Sequence, residues 1–218
     1  MPGHYSAGAS PHPRRAAAGA GVELTAALPA AVRRIVATMQ SLRWHLLVAG
    51  PSLLDPNFLR TVVFVGEHNE EGAMGVVLNR PSSLSVGEAV PPLAELAGAD
   101  ELVYIGGPVQ PEAIVVLGDF AEPARAAVPV LGSVGFLPGE VDEELAAGIN
   151  RARVFAGYAG WGPGQLESEL AEPSWIVEPA LPDDVFSGEP DALWSRVLRR
   201  KGGPFAVLAL MPMDPSLN

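Results

Sequence analysis

The sequence contains no cysteine. That absence removes thiol nucleophiles, disulfide scaffolds, zinc knuckles and iron–sulfur ligation together. Positive charge is scarce as well. Against 25 Asp and Glu stand only 14 Lys and Arg, a formal net charge of −11 for 218 residues, and an acidic chain is repelled by phosphate backbones unless its charge is very unevenly spread. Of the four histidines, His4 and His12 precede the apolar body of the chain, leaving His45 and His68, too few for a three-histidine metal site. No stretch of 18 residues lacks both charge and proline, which argues against a helical membrane span. What is present is apolar and bent. Hydrophobic residues make up 48%, enough for a core, and 24 Gly with 22 Pro imply many turns and short elements.

Residues 1–41 differ from the remainder. Their charges are Arg14, Arg15, Glu23, Arg33 and Arg34, a net 4 − 1 = +3, so the rest carries −11 − 3 = −14. They read as a flexible N-terminal extension, with Met39 as an alternative start and a short helix over 29–41, and residues 42–218 as a single domain. Within the domain, Leu46–Ala49 and Thr61–Val65 read as strands, the second continuous enough in apolar character to be covered on both faces. Residues 61–79 form a hairpin whose turn begins at His68, and 86–97 are weakly helical. Leu102–Ile105 and Ala113–Leu117 are strands on either side of Gly106-Gly107-Pro108. Helices are expected over Glu140–Ile149, Gln165–Ala171 and Asp191–Lys201. Further strands are expected at Arg153–Tyr158, Trp175–Val177 and Phe205–Met211. Hairpins mixed with single helices define the α+β class.

Several segments could carry chemistry. Gly157–Gly164, with four glycines between a strand and a helix, suits either a tight turn plugged by Trp161 or a backbone cradle for an anion; no lysine follows as in a P-loop. Asp55-Pro56-Asn57-Phe58 has the chemistry of a capped turn. Asp55, Asn57 and Arg60 can line a polar pocket with Asn79 and Arg80, which end the hairpin strand. His68 is a polar turn residue, a general base, or a metal ligand together with Glu70 or Glu71. Arg196, Arg199, Arg200 and Lys201 are the one basic concentration in the domain, and cations belong at a helix C-terminus in any case. No G-x-S-x-G elbow and no helix-turn-helix can be placed.

Taken in order, Leu46-Leu47-Val48-Ala49 with Pro51, Asp55-Pro56-Asn57-Phe58, Arg60-Thr61-Val62-Val63 and His68 resemble the AlgH/YqgE family of uncharacterised bacterial proteins. So do Gly72-Ala73, Gly75 through Pro81, Gly106-Gly107-Pro108-Val109, and Phe155 through Glu167. The resemblance runs from about Ser41 to Asn218, whose last five residues are similar to actinobacterial endings, and it departs at Trp44, where the family usually has a glycine. It implies a bent, mixed β-sheet closing into a pseudo-barrel with helices packed outside, and the role of transcriptional regulator that the family is described with. The expectation is a cytoplasmic, non-enzymatic regulatory or interaction protein with a protein or small-molecule partner. No metal, cofactor, membrane or direct nucleic-acid contact is expected, and a homodimer is compatible. Its site would draw on Asp55, Asn57, Arg60, His68, Asn79, Arg80, Tyr158, Trp161 and Gln165. The alternative is a divalent-metal-dependent hydrolase of a phosphorylated small molecule, using Asp55, His68 and Glu70 or Glu71.

Overall fold

The structure is a computed structural model that describes residues 41–211. The helix expected over 29–41 lies outside these residues except for Ser41, as does the segment Asp214–Asn218. In chain order the elements are β1 (His45–Ala49), β2 (Val62–Asn69), β3 (Gly72–Val77), β4 (Pro81–Ser85), α1 (Val86–Ala89), α2 (Ala94–Ala97) and β5 (Leu102–Ile105). They continue as β6 (Val109–Phe120), β7 (Val128–Leu131), β8 (Val134–Phe136), α3 (Glu143–Ala147), β9 (Ile149–Trp161) and α4 (Gln165–Ala171). The chain then forms β10 (Trp175–Pro179), α5 (Pro182–Val185), α6 (Pro190–Lys201) and α7 (Pro204–Leu208).

The strands make one mixed sheet in the order β10-β1-β2-β3-β9-β6-β8-β7, with β5 joined to β9 in parallel and β4 to β5. The α+β class therefore holds. The expected pseudo-barrel is not closed by a backbone ladder, because β10 and β7 end the path without pairing to each other. Edge β10 is instead covered by α6, whose Lys201 Nζ and Arg200 Nη2 donate to the carbonyls of Val177 and Pro179. A capped edge of this kind is a poor template for pairing with a further strand.

Strand β2 is buried on both faces, as its continuous apolar run implies. Val62 and Phe64 face a core cluster shared with Leu193, Trp194, Val197 and Leu198 of α6, while Val63 and Val65 face a second cluster around Trp161 and Trp175. Large apolar side chains contribute about 1.5–3 kcal/mol each on full burial, so α6 is fastened to the sheet mainly by this stripe. Trp194 adds a polar latch, its Nε1 donating to Ala49 O at 2.9 Å.

Several local expectations need correction. Phe205–Met211 is not a strand, since Phe205–Leu208 lies in α7, a short helix started by Pro204 at its first position. Residues 157–161 are not loop: β9 continues through Trp161, so only 162–164 turn, and of the four glycines just Gly157 and Gly164 have positive φ. The pairing of Gly75, Met74 and Ala73 of β3 with residues 159–161 holds this stretch extended. His68 sits within β2 rather than in the turn, which falls at Glu70-Glu71. The helix over 140–149 shrinks to α3, because Asp142 caps it and Ile149 already pairs in β9. Residues 86–97 split into α1 and α2 around a 3-10 turn at Pro91–Leu93. Trp44 shows why a glycine suits its place, with φ at +68° in the left-handed region.

The β5–β6 connection is the closest backbone approach near the sheet end. A Cβ on Gly106 would stand 2.2 Å from Gly157 O, and one on Gly107, whose φ is +154°, 2.2 Å from the Tyr158 carbonyl carbon. Neither neighbour can yield, because both are backbone. Gly107→Ala is therefore expected to cost about 2–4 kcal/mol, lowering Tm by roughly 5–12 °C. Gly139→Ala, with nothing within 4 Å of the added carbon, should stay within about 0.5 kcal/mol. Thermal unfolding followed by circular dichroism checks both, and a Gly107→Ala protein as stable as the parent would refute the crossing.

Candidate functional site

The Asp55–Arg60 segment is a tight turn rather than a helix. Phe58 and Leu59 N–H donate to Asp55 O at 2.9 and 2.7 Å, and Asn57 N–H donates to Asp55 Oδ1 at 2.8 Å, an Asx turn. The turn is tied to the hairpin by Asn79. Its Oδ1 accepts from Val62 N at 2.9 Å and its Nδ2 donates to Arg60 O at 2.9 Å, so one amide closes both sides of the chain reversal. Arg80 reaches back under the same turn, with Nη2 donating to Pro56 O at 2.8 Å and Leu59 O at 3.2 Å. Arg60 points the other way, its guanidinium 4.6 Å over the Trp194 ring and its Nη2 donating to Met211 O at 3.1 Å. Asp55, Asn57, Arg60, Asn79 and Arg80 thus come together at one end of the β2–β3 hairpin.

A depression of about 330 Å³ opens beside this cluster, lined by Asn57, Val77, Arg80, Ile105, Gly107, Pro108 and Pro111. That volume sits at the lower end of the range for small-molecule sites, about 300–1,000 Å³. Two of the non-glycine residues with positive φ flank it, Arg60 at +56° and Gln110 at +44°. Such conformations cost of order 1–3 kcal/mol each and persist only where the surroundings impose them. Partial burial holds the Arg80 guanidinium below its ordinary pKa, and nearby Asp55 opposes that shift.

His68, Trp161 and Gln165 belong to two other hydrogen-bonded groups, both closed on side chains of α4. Leu42 N–H donates to His68 Nδ1 at 2.9 Å, so Nδ1 is an acceptor, and Nε2 carries the proton that faces Glu167 Oε1 at 2.8 Å. Glu169 Oε2 accepts from the Nε1 of both Trp161 and Trp175, at 2.9 and 2.8 Å. Gln165 donates to Glu169 Oε1 at 3.0 Å and accepts from Gly162 N at 3.1 Å. The Gly162 N–H, one of those an anion cradle would offer, is thereby already occupied. Phe58 joins the two regions by packing on Trp161 and Trp175, with centroids at 6.3 and 5.6 Å. Tyr158 supports the depression from behind: its backbone meets Gly107, and its ring packs on the core.

The metal arrangement does not assemble. Asp55 engages its own turn, His68 engages Leu42 and Glu167, and among the described residues no three His, Asp or Glu side chains converge on one point. The basic run of α6 is largely neutralised. Arg200 pairs with Asp184 at 2.9 Å, Lys201 with Glu178 at 3.3 Å and Arg196 with Asp184 at 3.9 Å, the Asp184 side chain being only 3% exposed.

Three features escaped sequence reasoning. Ile105, Pro108 and Pro111 form the apolar wall, which only the folded β5–β6 crossing brings to Arg80. Gln110 gains its strain from a register shift in β6 between Val109 and Ile114. Arg153, 9% exposed, donates to Val185 O and Ser187 O at 2.7 and 2.9 Å and lies 4.4 Å over the Tyr104 ring, pinning β9 to the end of α5 and the residues just after it. Burial lowers its pKa and raises that of the Tyr104 phenol.

The fold and this sheet-end cluster define an α+β protein with a small, partly apolar recess framed by tight turns. The chain belongs to the AlgH-like family, whose model matches residues 46–206. It is 46% identical over 187 residues to a UPF0301 protein of Streptomyces coelicolor, covering 83% of this chain and 97% of that one. It is 43% identical over 181 residues to a UPF0301 protein of Mycobacterium tuberculosis, covering 79% and 89%. Its fold is similar to the crystal structure of a Corynebacterium diphtheriae protein, with TM-score 0.70 and 31% identity over 78% of this chain and 92% of that one. It is also similar to the solution structure of AlgH from Pseudomonas aeruginosa, with TM-score 0.59 and 32% identity over 81% and 97%.

Asn79 is the hinge pin of the cluster. Asn79→Ala orphans the buried Val62 N–H and the Arg60 carbonyl, for an expected loss of about 2–4 kcal/mol. Urea unfolding measures it, and a loss below about 0.5 kcal/mol would show that the amide does not hold the turn.

Proposed function

We propose that this protein acts in the cytoplasm as a non-enzymatic regulatory or interaction protein, and that the recess beside Arg80 is where it recognises its partner or ligand. One observation carries this reading: a cation and an amide, Arg80 and Asn57, stand at the rim of a ligand-sized recess whose backbone is fixed by Asn79 and by the Gly106–Gly107 crossing. Preformed recesses with few polar groups on mostly apolar walls are the common form of small-ligand sites. The arrangement suits holding rather than reacting, since the histidine of the domain nearest to a carboxylate, His68, is engaged on both ring nitrogens away from the recess.

Regulation of transcription would pass through such a partner. The cations of α6 that could meet a phosphate backbone are mostly paired with Asp184 and Glu178. Among the described residues no helix is long and apolar enough to cross a membrane.

Native mass spectrometry of the full chain purified from its source cells tests the reading. The expected result is a bound small mass or protein subunit that is lost in the Asn57→Ala/Arg80→Gln double variant. Multiple turnovers of a phosphate ester with Mg²⁺, abolished by Asp55→Asn, would replace the reading with hydrolysis.

A further inference from the structure

The recess allows its ligand class to be named, an inference that rests on the recognition reading above. We infer that it binds a single carboxylate carried on a small apolar body, with the Arg80 guanidinium as the anion's partner. Arg80 is anchored through Nη2 alone, to Pro56 O and Leu59 O; among the described residues its Nε and Nη1 make no hydrogen bond and no ion pair. One nitrogen fixes the plane of the guanidinium, and the others are left to donate. With Nη2 taken, Nε and Nη1 point to different sides of the guanidinium, so one of them can give one carboxylate oxygen a single charge-assisted hydrogen bond. The Asn57 side-chain amide, likewise without a hydrogen bond among the described residues, stands on the same rim as a neutral donor.

The rest of the lining decides what the carboxylate is attached to. Val77, Ile105, Pro108 and Pro111 are apolar, and Ile105 is 48% exposed, a large aliphatic side chain with one face uncovered. The volume of about 330 Å³ accommodates a short branched or aromatic body and little more. Charge argues against a phosphate. Arg80 is the one cation of the lining, so a dianion would keep one charge without a partner there. A monoanion needs only the one guanidinium.

The frame is built for fixed geometry. Arg60, in the turn beneath Arg80, and Gln110, between the lining residues Pro108 and Pro111, hold left-handed backbone, and the two prolines stiffen their side of the rim. Gly107 lies so close to the Tyr158 backbone that no side chain could intrude from the floor. Such strain is retained where a precise surface is required.

The carboxylate could belong to a free small acid or to the C-terminus of a peptide, and the test separates the two. Amide spectra of the ¹⁵N-labelled full chain are recorded against 4-methylpentanoate, its neutral amide 4-methylpentanamide, 3-methylbutyl phosphate, and N-acetyl-Gly-Gly-Leu with a free C-terminus. The acid is expected to shift Asn57, Ile105, Gly107 and Gln110, and the neutral amide to bind about tenfold more weakly, as loss of a charge-assisted pair implies. Arg80→Gln should weaken the acid by a similar factor, whereas Arg199→Gln should leave it unchanged. A response to the peptide as strong as to the acid assigns the source as a chain terminus, and a response to the acid alone assigns it as a small molecule. Should Arg80→Gln fail to fold, the acid–amide comparison on the parent protein decides by itself. Equal binding of acid and neutral amide, tighter binding of the phosphate ester at the same residues, or no shift with either carboxylate would overturn the inference. The first two of these outcomes leave the recognition reading standing, since the same recess would still bind.

Discussion

The molecule depends on one close approach of backbone to backbone. Strand β9 pairs with β3, β6 and β5, and it serves the last two together only because the Gly106-Gly107 link passes over Gly157 and Tyr158 at distances that no side chain permits. Hydrogen bonds secure the crossing from both sides. Gly106 N–H donates to Ala156 O, and Gly106 O accepts from Val77 N–H, both at 2.8 Å. The crossing therefore joins the end of β3 to the start of β6. That junction sets Pro108 and Pro111 opposite Arg80, and the recess is its geometric by-product.

Polar residues in this protein divide into those that hold the frame and those that face outward from it. Asn79, Arg153, Asp184, Glu169 and His68 each engage two or more fixed partners, most of them backbone groups or indole N–H donors. Among the described residues no buried side-chain nitrogen or oxygen lacks a hydrogen bond. Satisfaction of this kind fixes one arrangement of the chain, because each broken contact leaves a desolvated group behind. Arg80 and Asn57 differ in keeping donors in reserve at a concave surface. That contrast separates a recognition surface from scaffolding more sharply than residue type does.

Much of the frame was legible in the sequence. The continuous run Val62–Val65 announced a strand covered on both faces, the Gly106-Gly107-Pro108 turn stood where glycines clustered, and the Asp55-Pro56-Asn57 turn carried its own Asx chemistry. The grouping of Asp55, Asn57, Arg60, Asn79 and Arg80 followed from placing a turn and a strand end side by side. Short-range pattern failed where distant pairing decided. Residues 157–161 look like loop by their glycines, yet β3 holds them extended; Phe205–Leu208 looks like strand by its apolar run, yet a proline start and packing against α6 coil it. His68, Trp161 and Gln165 looked like site residues because polar and aromatic groups near turns serve either purpose. Only their partners, Glu167 and Glu169, assign them to support.

The floor of the recess is built before any ligand arrives. Native-state hydrogen exchange of the amides of Val62, Val77 and Leu78 reads that directly, since these three N–H groups donate to Asn79 Oδ1, Gly106 O and Val62 O beneath the recess. The prediction is protection equal to that of the central β2 amides, such as Val63 and Phe64, exchanging only through global unfolding. Exchange of these three at rates typical of mobile loops, while β2 stays protected, would contradict it.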